Sequence, residues 1–101
     1  MRKAPFWTVR LKPGTLAEVM EAGRAHVAAS RAEPGCLSFD FYAGIDGSDT
    51  FVSGEQYVGA AAHQVHQETP YFKAFIAFLA AGMQAPEMDR CEPPDEAHPA
   101  R

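Results

Sequence analysis

One helix ends and one strand begins within residues 30–40, whose sequence is SRAEPGCLSFD. Pro34 disfavours α-helical geometry at the preceding Glu33, so the helix is expected to stop there. Large apolar residues then alternate with small or polar ones, which predicts a strand over residues 36–42. The apolar residues predicted to share one face of this strand are Leu37, Phe39 and Phe41.

An amphipathic helix is predicted upstream of this stop. Lys12-Pro13-Gly14 ends a first strand over residues 5–11 and precedes the helix. Thr15 and Glu18 have the spacing of a capping box, in which each side chain bonds the backbone N–H of the other residue. The apolar stripe of this helix consists of Leu16, Val19, Met20, Gly23 and Val27.

A hairpin and a short helix are predicted next. Residues 44–49 are rich in turn formers and join the strand to a partner over residues 50–58. Gly54 in this partner strand marks a bulge or the close approach of another group. An Ala-rich helical segment follows over residues 59–66.

The C-terminal region is predicted to contain one more helix and one more strand. Thr69 is the expected N-cap of this helix, and Pro70 occupies its first position, where the missing N–H costs nothing. A strand over residues 86–92 completes a single domain of residues 1–92. The polar, Pro-rich residues 93–101 are expected to form a mobile tail.

The order of these elements is β-α-β-β-α-β, which is that of the ferredoxin-like α+β fold. This fold has an antiparallel sheet with strand order 4-1-3-2 and both helices on one face. Cys36 and Cys91 are then expected on opposite edge strands. Because a disulfide needs Cα atoms within about 7 Å, no intrachain bridge is predicted.

Aromatic residues are predicted on both faces of the sheet. Phe6 lies among polar neighbours, and Tyr42, Phe51 and Tyr57 are assigned to the face that the helices leave open. A sheet with one solvated face should be polar on that face. We therefore expect a homodimer packed sheet to sheet. The alternative is an ordinary amphipathic sheet with a few exposed aromatics.

Composition and charge limit the classes of partner. The 101 residues carry a formal net charge of −4, with 47% hydrophobic and 22% charged residues, as in ordinary globular domains. The scattered basic residues argue against nucleic acid as a partner. No apolar run approaches the ~20 residues of a membrane span, and no signal peptide is recognised. We expect a cytoplasmic protein with free thiols.

An ordered set of motifs runs through the chain: KPG at 12–14, SRxEPGCLxFD at 30–40, FxxxExY at 51–57, AAxxxH at 61–66 and TPYF at 69–72. Together these motifs resemble the antibiotic biosynthesis monooxygenase domain family, which includes small quinol monooxygenase-like proteins. The resemblance covers roughly residues 6–92 and implies a dimeric α+β barrel, in which two ferredoxin-like subunits face each other through their sheets. It also implies a pocket between the sheet and the helices of each subunit.

The resemblance implies chemistry without a cofactor. Characterised relatives oxidise phenolic or quinol-type aromatics with O₂, often with neither metal nor flavin, whereas other relatives degrade haem or process small signalling molecules. Trp7 departs from the pocket Asn of the haem-degrading relatives and from the small residue that is common in quinol-type relatives. This departure disfavours haem degradation and leaves the substrate open.

Cofactor-free oxidation requires a base for the substrate proton, a group that holds the anion and the exclusion of water. His66 matches the His that follows the AA pair in the family, and it is the predicted base; the alternative is a structural histidine. Glu55 either orients His66, accepts a proton itself, or is a buried carboxylate paired with the backbone or Arg10. Tyr57 shares its strand face and either donates to an oxyanion or packs in the core.

Five further side chains are predicted to contact the substrate, with core packing as the alternative for each aromatic one. His63 shares a helix face with His66, but their spacing of three without a third ligand does not indicate a metal site. No metal or other cofactor is expected. The predicted substrate contacts are Trp7, Phe39, His63, Phe72 and Phe75.

Two functions are compatible with these features. The first is a cofactor-independent monooxygenase that acts on a small aromatic or quinol-type substrate. The second is a non-catalytic dimeric module that binds a small hydrophobic ligand or has a regulatory role. Oxygen uptake in the presence of quinols would separate the two.

Overall fold

The computed structural model of the chain describes residues 1–82 and 87–91. The element order confirms the predicted β-α-β-β-α-β arrangement, with the second helical region divided into two helices. The expected tail over residues 93–101 lies outside the described residues. The elements are β1 (Phe6–Arg10), α1 (Leu16–Arg31), β2 (Cys36–Ala43), β3 (Thr50–Tyr57), α2 (Ala60–Gln67), α3 (Pro70–Gly82) and β4 (Glu87–Cys91).

The four strands form one antiparallel sheet in the order β2-β3-β1-β4. This is the predicted 4-1-3-2 order read from the other edge. Cys36 in β2 and Cys91 in β4 therefore belong to opposite edge strands, as expected. Within the described residues, no helix is long and apolar enough to cross a membrane.

A β-bulge near the start of β2 corrects one predicted face. The pairing with β3 shifts register between Cys36 and Ser38, which inserts Leu37 as an extra residue. Leu37 therefore does not share the buried face with Phe39, and 49% of its surface is exposed. The prediction of one unbroken alternation was wrong because a bulge places two residues opposite one.

The inner face of β3 corrects a second prediction. Phe51 and Tyr57 were assigned to the open face, but both are almost fully buried beneath the helices. Ser53 pairs with Phe41 and Glu55 pairs with Phe39, and residues paired across strands project to the same face. The buried alternation from Phe51 to Tyr57 therefore belongs to the core side of the sheet.

The outer face of the sheet is mixed in character. Phe6 and Tyr42 are 38% and 58% exposed on this face. The Tyr42 ring lies over Gly54, where an added Cβ would stand 3.4 Å from the ring edge. A side chain at this position would make ordinary van der Waals contact with the ring, and the pairing with β2 is regular through Gly54, so the bulge and the close approach both stay predictions.

The two long helices begin in different ways. Thr69 caps α3 as predicted, because its hydroxyl accepts a hydrogen bond from the Phe72 N–H at 3.2 Å. The predicted capping box at Thr15 does not form: Thr15 has no side-chain cap bond, and its hydroxyl donates to the Lys12 carbonyl. Instead, Asp49 from the β2–β3 loop accepts the Leu16 N–H at 3.2 Å.

Candidate active site

A cavity of about 260 Å³ lies between the inner face of the sheet and the helices. Most of its wall is apolar and aromatic. Ligand sites commonly combine such walls with a few placed polar groups. The apolar wall includes Trp7, Val9, Phe39, Phe41, Phe72 and Phe75, and the polar side chains in the wall are His26, Ser53, Glu55, His66 and Gln67.

The imidazole of His66 is held by a carboxylate. Its Nδ1 lies 2.8 Å from Oε2 of Glu33, and the His66 side chain is 1% exposed. An ionised carboxylate only accepts hydrogen bonds, so Nδ1 carries the proton in this pair. In the neutral ring, Nε2 then holds a lone pair, and it has no hydrogen-bond partner among the described residues. This is the arrangement of an oriented general base.

A tyrosine hydroxyl bonds the same oxygen of the Glu33 carboxylate as His66 does. Tyr71, at the start of α3, donates its O–H to Oε2 of Glu33. Burial, together with the hydrogen bond to Glu33 and the charge of that carboxylate, raises the pKa of Tyr71 to about 12. The phenol therefore keeps its proton at neutral pH and remains a donor to Glu33.

A glycine allows the carboxylate and the imidazole to meet. Glu33 lies in the turn between α1 and β2, and His66 lies in the last turn of α2. Two residues beyond Glu33, a Cβ added at Gly35 would overlap the Cβ of Ala62 in α2. The missing side chain thus lets α2 pack directly on the turn that carries Glu33.

A second buried histidine forms part of the same wall. His26, from α1, is 6% exposed, and its ring stacks on Phe75 with centroids 4.7 Å apart. Burial, followed by the nearby charge of His66, lowers the pKa of His26 to about 4. Its Nδ1 is also without a hydrogen-bond partner among the described residues.

Glu55 is engaged by its own strand. Tyr57 donates to Oε1 at 2.7 Å, and Ser53 donates to Oε2 at 2.8 Å. The alternative in which Glu55 orients His66 is therefore wrong: Glu33 makes that bond, because the α1–β2 turn rather than β3 faces Nδ1. Burial, followed by the charge of Glu55, raises the pKa of Tyr57, so its proton stays on the phenol.

The structure brings most of the predicted site residues to the cavity. Tyr57 and His63 are exceptions, since neither lines it; His63 stacks on Tyr57 with centroids 4.9 Å apart. In these positions Tyr57 holds Glu55 rather than a substrate oxyanion. The predicted residues in the cavity wall are Trp7, Phe39, Glu55, His66, Phe72 and Phe75.

Sequence reasoning missed two residues of the site, Glu33 and His26. Glu33 was read only as the last residue before Pro34, and nothing in the chain ties it to a histidine 33 positions away. The spacing of α1 could have indicated His26. A stripe through His26 has the same helical periodicity as the predicted stripe through Val27. The buried positions of α1 are Val19, Gly23, His26 and Ser30.

No group of three or more His, Cys, Asp or Glu side chains suited to a metal ion occurs within residues 1–82 and 87–91.

A model of the antibiotic biosynthesis monooxygenase family matches residues 7–77. The chain belongs to this family. The match spans β1 to the middle of α3. It includes Glu33, His66 and the aromatic residues of the cavity wall.

Two solved structures extend the comparison. The solved structure of PA3566 from Pseudomonas aeruginosa is 31% identical, with a TM-score of 0.77 over 93% of this chain and 95% of that one. A candidate antibiotic biosynthesis monooxygenase from Nitrosomonas europaea has a TM-score of 0.84 at 20% identity, over 98% of this chain and 94% of that one. At that identity, the second likeness shows the fold alone.

A curated relative is longer than this chain. It is an uncharacterized protein of Synechocystis sp., 32% identical over 68 residues, which are 67% of this chain and 46% of the relative. The chain therefore spans about half the length of the curated protein it matches.

Proposed function

We propose that this protein is a cofactor-independent monooxygenase that oxidises a small aromatic, quinol-type substrate with O₂. The observation that carries the proposal is the Glu33–His66 pair at the wall of an aromatic cavity, with Nδ1 held by the carboxylate and Nε2 without a partner among the described residues. This geometry is what a general base for a phenolic proton requires. Membership of the monooxygenase family supports it.

The size of the cavity fits a small aromatic ring. Its volume of about 260 Å³ exceeds the roughly 150 Å³ of an apolar cavity that accepts benzene, and it falls below the roughly 300–1,000 Å³ of pockets for drug-sized ligands. Phe39 and Phe72 are close enough to His66 for ring contacts, with centroids 5.3 and 5.1 Å from the imidazole. A ring in this space would lie against aromatic faces next to Nε2.

The first step of the proposed reaction is proton transfer. A hydroquinone hydroxyl gives its proton to Nε2 of His66, and the ionised Glu33 stabilises the imidazolium that forms. The phenolate is the species that reduces O₂. The apolar wall keeps bulk water away from this anion, which strengthens its interaction with the imidazolium.

The remaining steps need no external reductant. The anion passes one electron to O₂, and the semiquinone and superoxide combine to form a bond between a ring carbon and oxygen. The imidazolium returns its proton to this peroxide. Elimination of water breaks the O–O bond and removes the ring C–H proton, which leaves a hydroxyquinone. One substrate and one O₂ thus give one product and one water, and the substrate supplies all the electrons.

We also propose that the protein acts as a homodimer through the outer face of the sheet. Among the described residues, the helices pack on the inner face, which leaves Phe6 and Tyr42 exposed on the outer one. Phe6 pairs with Gly54, over which the Tyr42 ring lies, so both aromatics belong to one region of this face, and an exposed apolar patch is typical of an interface. A second copy would cover this face with its own sheet.

Oxygen consumption tests the proposed activity. With a panel of hydroquinones and naphthohydroquinones, the wild-type protein should consume O₂ faster than the enzyme-free blank. His66→Asn keeps an N–H donor for Glu33 but removes the base, so the rate should fall at least about 100-fold. Val65→Ala, an exposed neighbour in the same helix, is the matched control and should retain full activity.

Two outcomes would refute the proposed activity. If His66→Asn folds and turns over at the wild-type rate, His66 is not the base. If none of the panel consumes O₂ above the blank while the same compounds raise the melting temperature, the protein is a small-ligand-binding module.

A further inference from the structure

Two buried histidines line the same cavity, and each has one ring nitrogen without a hydrogen-bond partner among the described residues. These nitrogens are Nδ1 of His26 and Nε2 of His66. The two rings are neighbours, with centroids 5.6 Å apart and planes inclined by 57°. A buried polar atom without a hydrogen bond is destabilising, so a ligand that satisfies both atoms gains affinity from each.

Both nitrogens are acceptors. In His66 the proton lies on Nδ1, where Glu33 accepts it, so Nε2 presents a lone pair. His26 is neutral at pH 7, because burial lowers its pKa to about 4, and it has one proton to place. The backbone of Tyr71 interacts with the His26 ring in the sense that favours a ring N–H. Because Nδ1 has no partner among the described residues, we assign this contact and the ring proton to Nε2. Nδ1 of His26 then carries the second lone pair.

The other buried polar groups of the wall do not supply a donor. The Ser53 hydroxyl is directed to Glu55, and Glu55 is itself an acceptor. Trp7 and Gln67 carry N–H groups, but both side chains are only half-buried. The two buried nitrogens therefore offer a pair of lone pairs, which is complementary to a ligand that brings two hydroxyl protons.

We propose that His26 is a specificity-determining residue: His26 and His66 together select an aromatic ring with two hydroxyl groups over the ether and quinone forms of that ring. This inference rests on the proposed function for the role of the ligand as substrate. One hydroxyl lies at His66, which removes its proton, and His26 accepts a hydrogen bond from the other. A quinone presents only carbonyl lone pairs to the same two nitrogens, and the hydroxyquinone product keeps only one hydroxyl donor, so oxidation of the bound ring weakens its binding and favours release of the product.

The first arm of the test uses the wild-type protein and calorimetry without oxygen, so that no turnover occurs. The probes are hydroquinone, its monomethyl ether and its dimethyl ether. Durohydroquinone and duroquinone are used to compare the reduced and oxidised forms. Their rings are fully methylated, so the thiol of Cys36 has no open ring position to which it could add. Each loss of a hydroxyl donor, by methylation or by oxidation, should weaken binding by roughly tenfold, as expected when a buried acceptor loses its partner.

The second arm isolates His26. The variant His26→Phe keeps a flat ring against Phe75 but has no acceptor, so hydroquinone should lose its advantage over the monomethyl ether. The same variant should leave the advantage of the monomethyl ether over the dimethyl ether intact, because His66 still accepts one hydroxyl. If His26→Phe does not fold, the wild-type series alone still tests the selection.

The outcomes separate the inference from the activity. Equal binding of hydroquinone and its ethers by the wild-type protein, or an unchanged preference in His26→Phe, would overturn the inference even if quinols are oxidised. A clear diol preference without any O₂ consumption would uphold the inference as a binding property and refute the proposed activity. Absence of binding by every probe would overturn both.

Discussion

The two cavity histidines differ in chemistry because their neighbours differ. His66 has a carboxylate at one ring nitrogen, which fixes its tautomer and supports a positive charge when Nε2 takes a proton. His26 stacks face to face on Phe75, and burial disfavours its charged form. One imidazole is therefore suited to proton transfer, and the other is suited to remain a neutral acceptor.

The lowered pKa of His26 predicts a pH dependence of stability. The unfolded chain binds a proton at this residue near pH 6.5, whereas the folded protein binds it only near 4. The stability that the neutral ring contributes is therefore present above pH 6.5 and is lost as the pH falls toward 4. The loss should reach about 3 kcal/mol, since one pKa unit corresponds to about 1.36 kcal/mol.

Urea unfolding at pH 7 and pH 4 measures this loss. The free energy of unfolding should fall by about 3 kcal/mol less in His26→Phe than in the wild-type protein over this range. Equal falls in the two proteins would show that His26 titrates normally in the folded state.

Single residues of the site were predictable only where a local pattern marked them. His66 followed from the resemblance to the family, in which a His comes after the Ala pair, and the aromatic wall followed from the strand and helix stripes. The Glu33 partner of His66 did not, because a turn and a glycine contact bring together residues far apart in the chain. For Tyr57 the sequence placed the residue on the same strand face as Glu55 but did not show that its hydroxyl bonds that carboxylate, two residues away.

At the scale of elements, side chains outside a helix determine how α1 begins. The Leu16 N–H is satisfied by Asp49 from the β2–β3 loop, which is 33 positions away. A carboxylate at this end also interacts favourably with the helix dipole. The cap therefore ties α1 to the hairpin rather than to its own first turn.

Removal of this cap should destabilise the fold. Asp49→Ala is expected to lower the free energy of unfolding by about 1 kcal/mol, the usual effect of losing a side-chain cap. Asp49→Asn keeps an oxygen acceptor and should recover most of that loss. Chemical denaturation measures both variants, and equal destabilisation by Ala and Asn would contradict the capping role.

The contact of Gly35 with α2 predicts a coupling between fold and site. Gly35→Ala should destabilise the protein by about 1–3 kcal/mol, because the new methyl group overlaps the Cβ of Ala62. The same displacement of α2 should slow quinol oxidation, since it moves His66 from Glu33. Ala62→Gly in the Gly35→Ala background removes the overlap and should restore part of both properties.

The double-variant cycle can contradict the proposed contact between Gly35 and Ala62. If the two substitutions have additive effects on the free energy of unfolding, Gly35 and Ala62 do not interact in the way described. Denaturation of the four proteins under one set of conditions provides this measurement.

Elements were predicted more reliably than their faces. Helix and strand periodicities, together with breaks at Pro and Gly, gave the number, order and approximate bounds of the elements. The bulge at Leu37 has no distinctive sequence signal, and it changes the face of a residue. The inner face of β3 was assigned wrongly because Phe51, Ser53, Glu55 and Tyr57 mix apolar and polar side chains, and a buried hydrogen-bonded network removes the usual contrast between faces.

At the scale of the whole molecule, one layer of helices and one sheet enclose the cavity. The correction of Phe51 and Tyr57 removes two of the aromatic residues on which the dimer expectation was based. Phe6 and Tyr42 remain on the outer face. The proposal of a dimer now rests on these two exposed rings and on the family. The two rings are therefore the positions at which a substitution should weaken the dimer.

Sedimentation velocity tests the proposed dimer. At micromolar concentration, the protein should sediment with twice the 11.0 kDa mass of the chain. Tyr42→Arg places a charge on the outer face and should shift the species toward the monomer. Val65→Arg is the control, because Val65 is similarly exposed, at 59%, but lies in α2. A wild-type monomer, or equal effects of the two variants, would contradict a sheet-to-sheet dimer.

The tautomer and accessibility of His66 form the central claim, and nitrogen NMR of the labelled imidazoles measures them directly. Comparison with His66→Asn and His26→Phe assigns the signals. In the neutral ring, without oxygen, Nδ1 of His66 should be protonated and Nε2 unprotonated, and hydroquinone should shift the Nε2 signal. A protonated Nε2 in the neutral ring, or a Nε2 signal that does not move with saturating hydroquinone, would contradict the account.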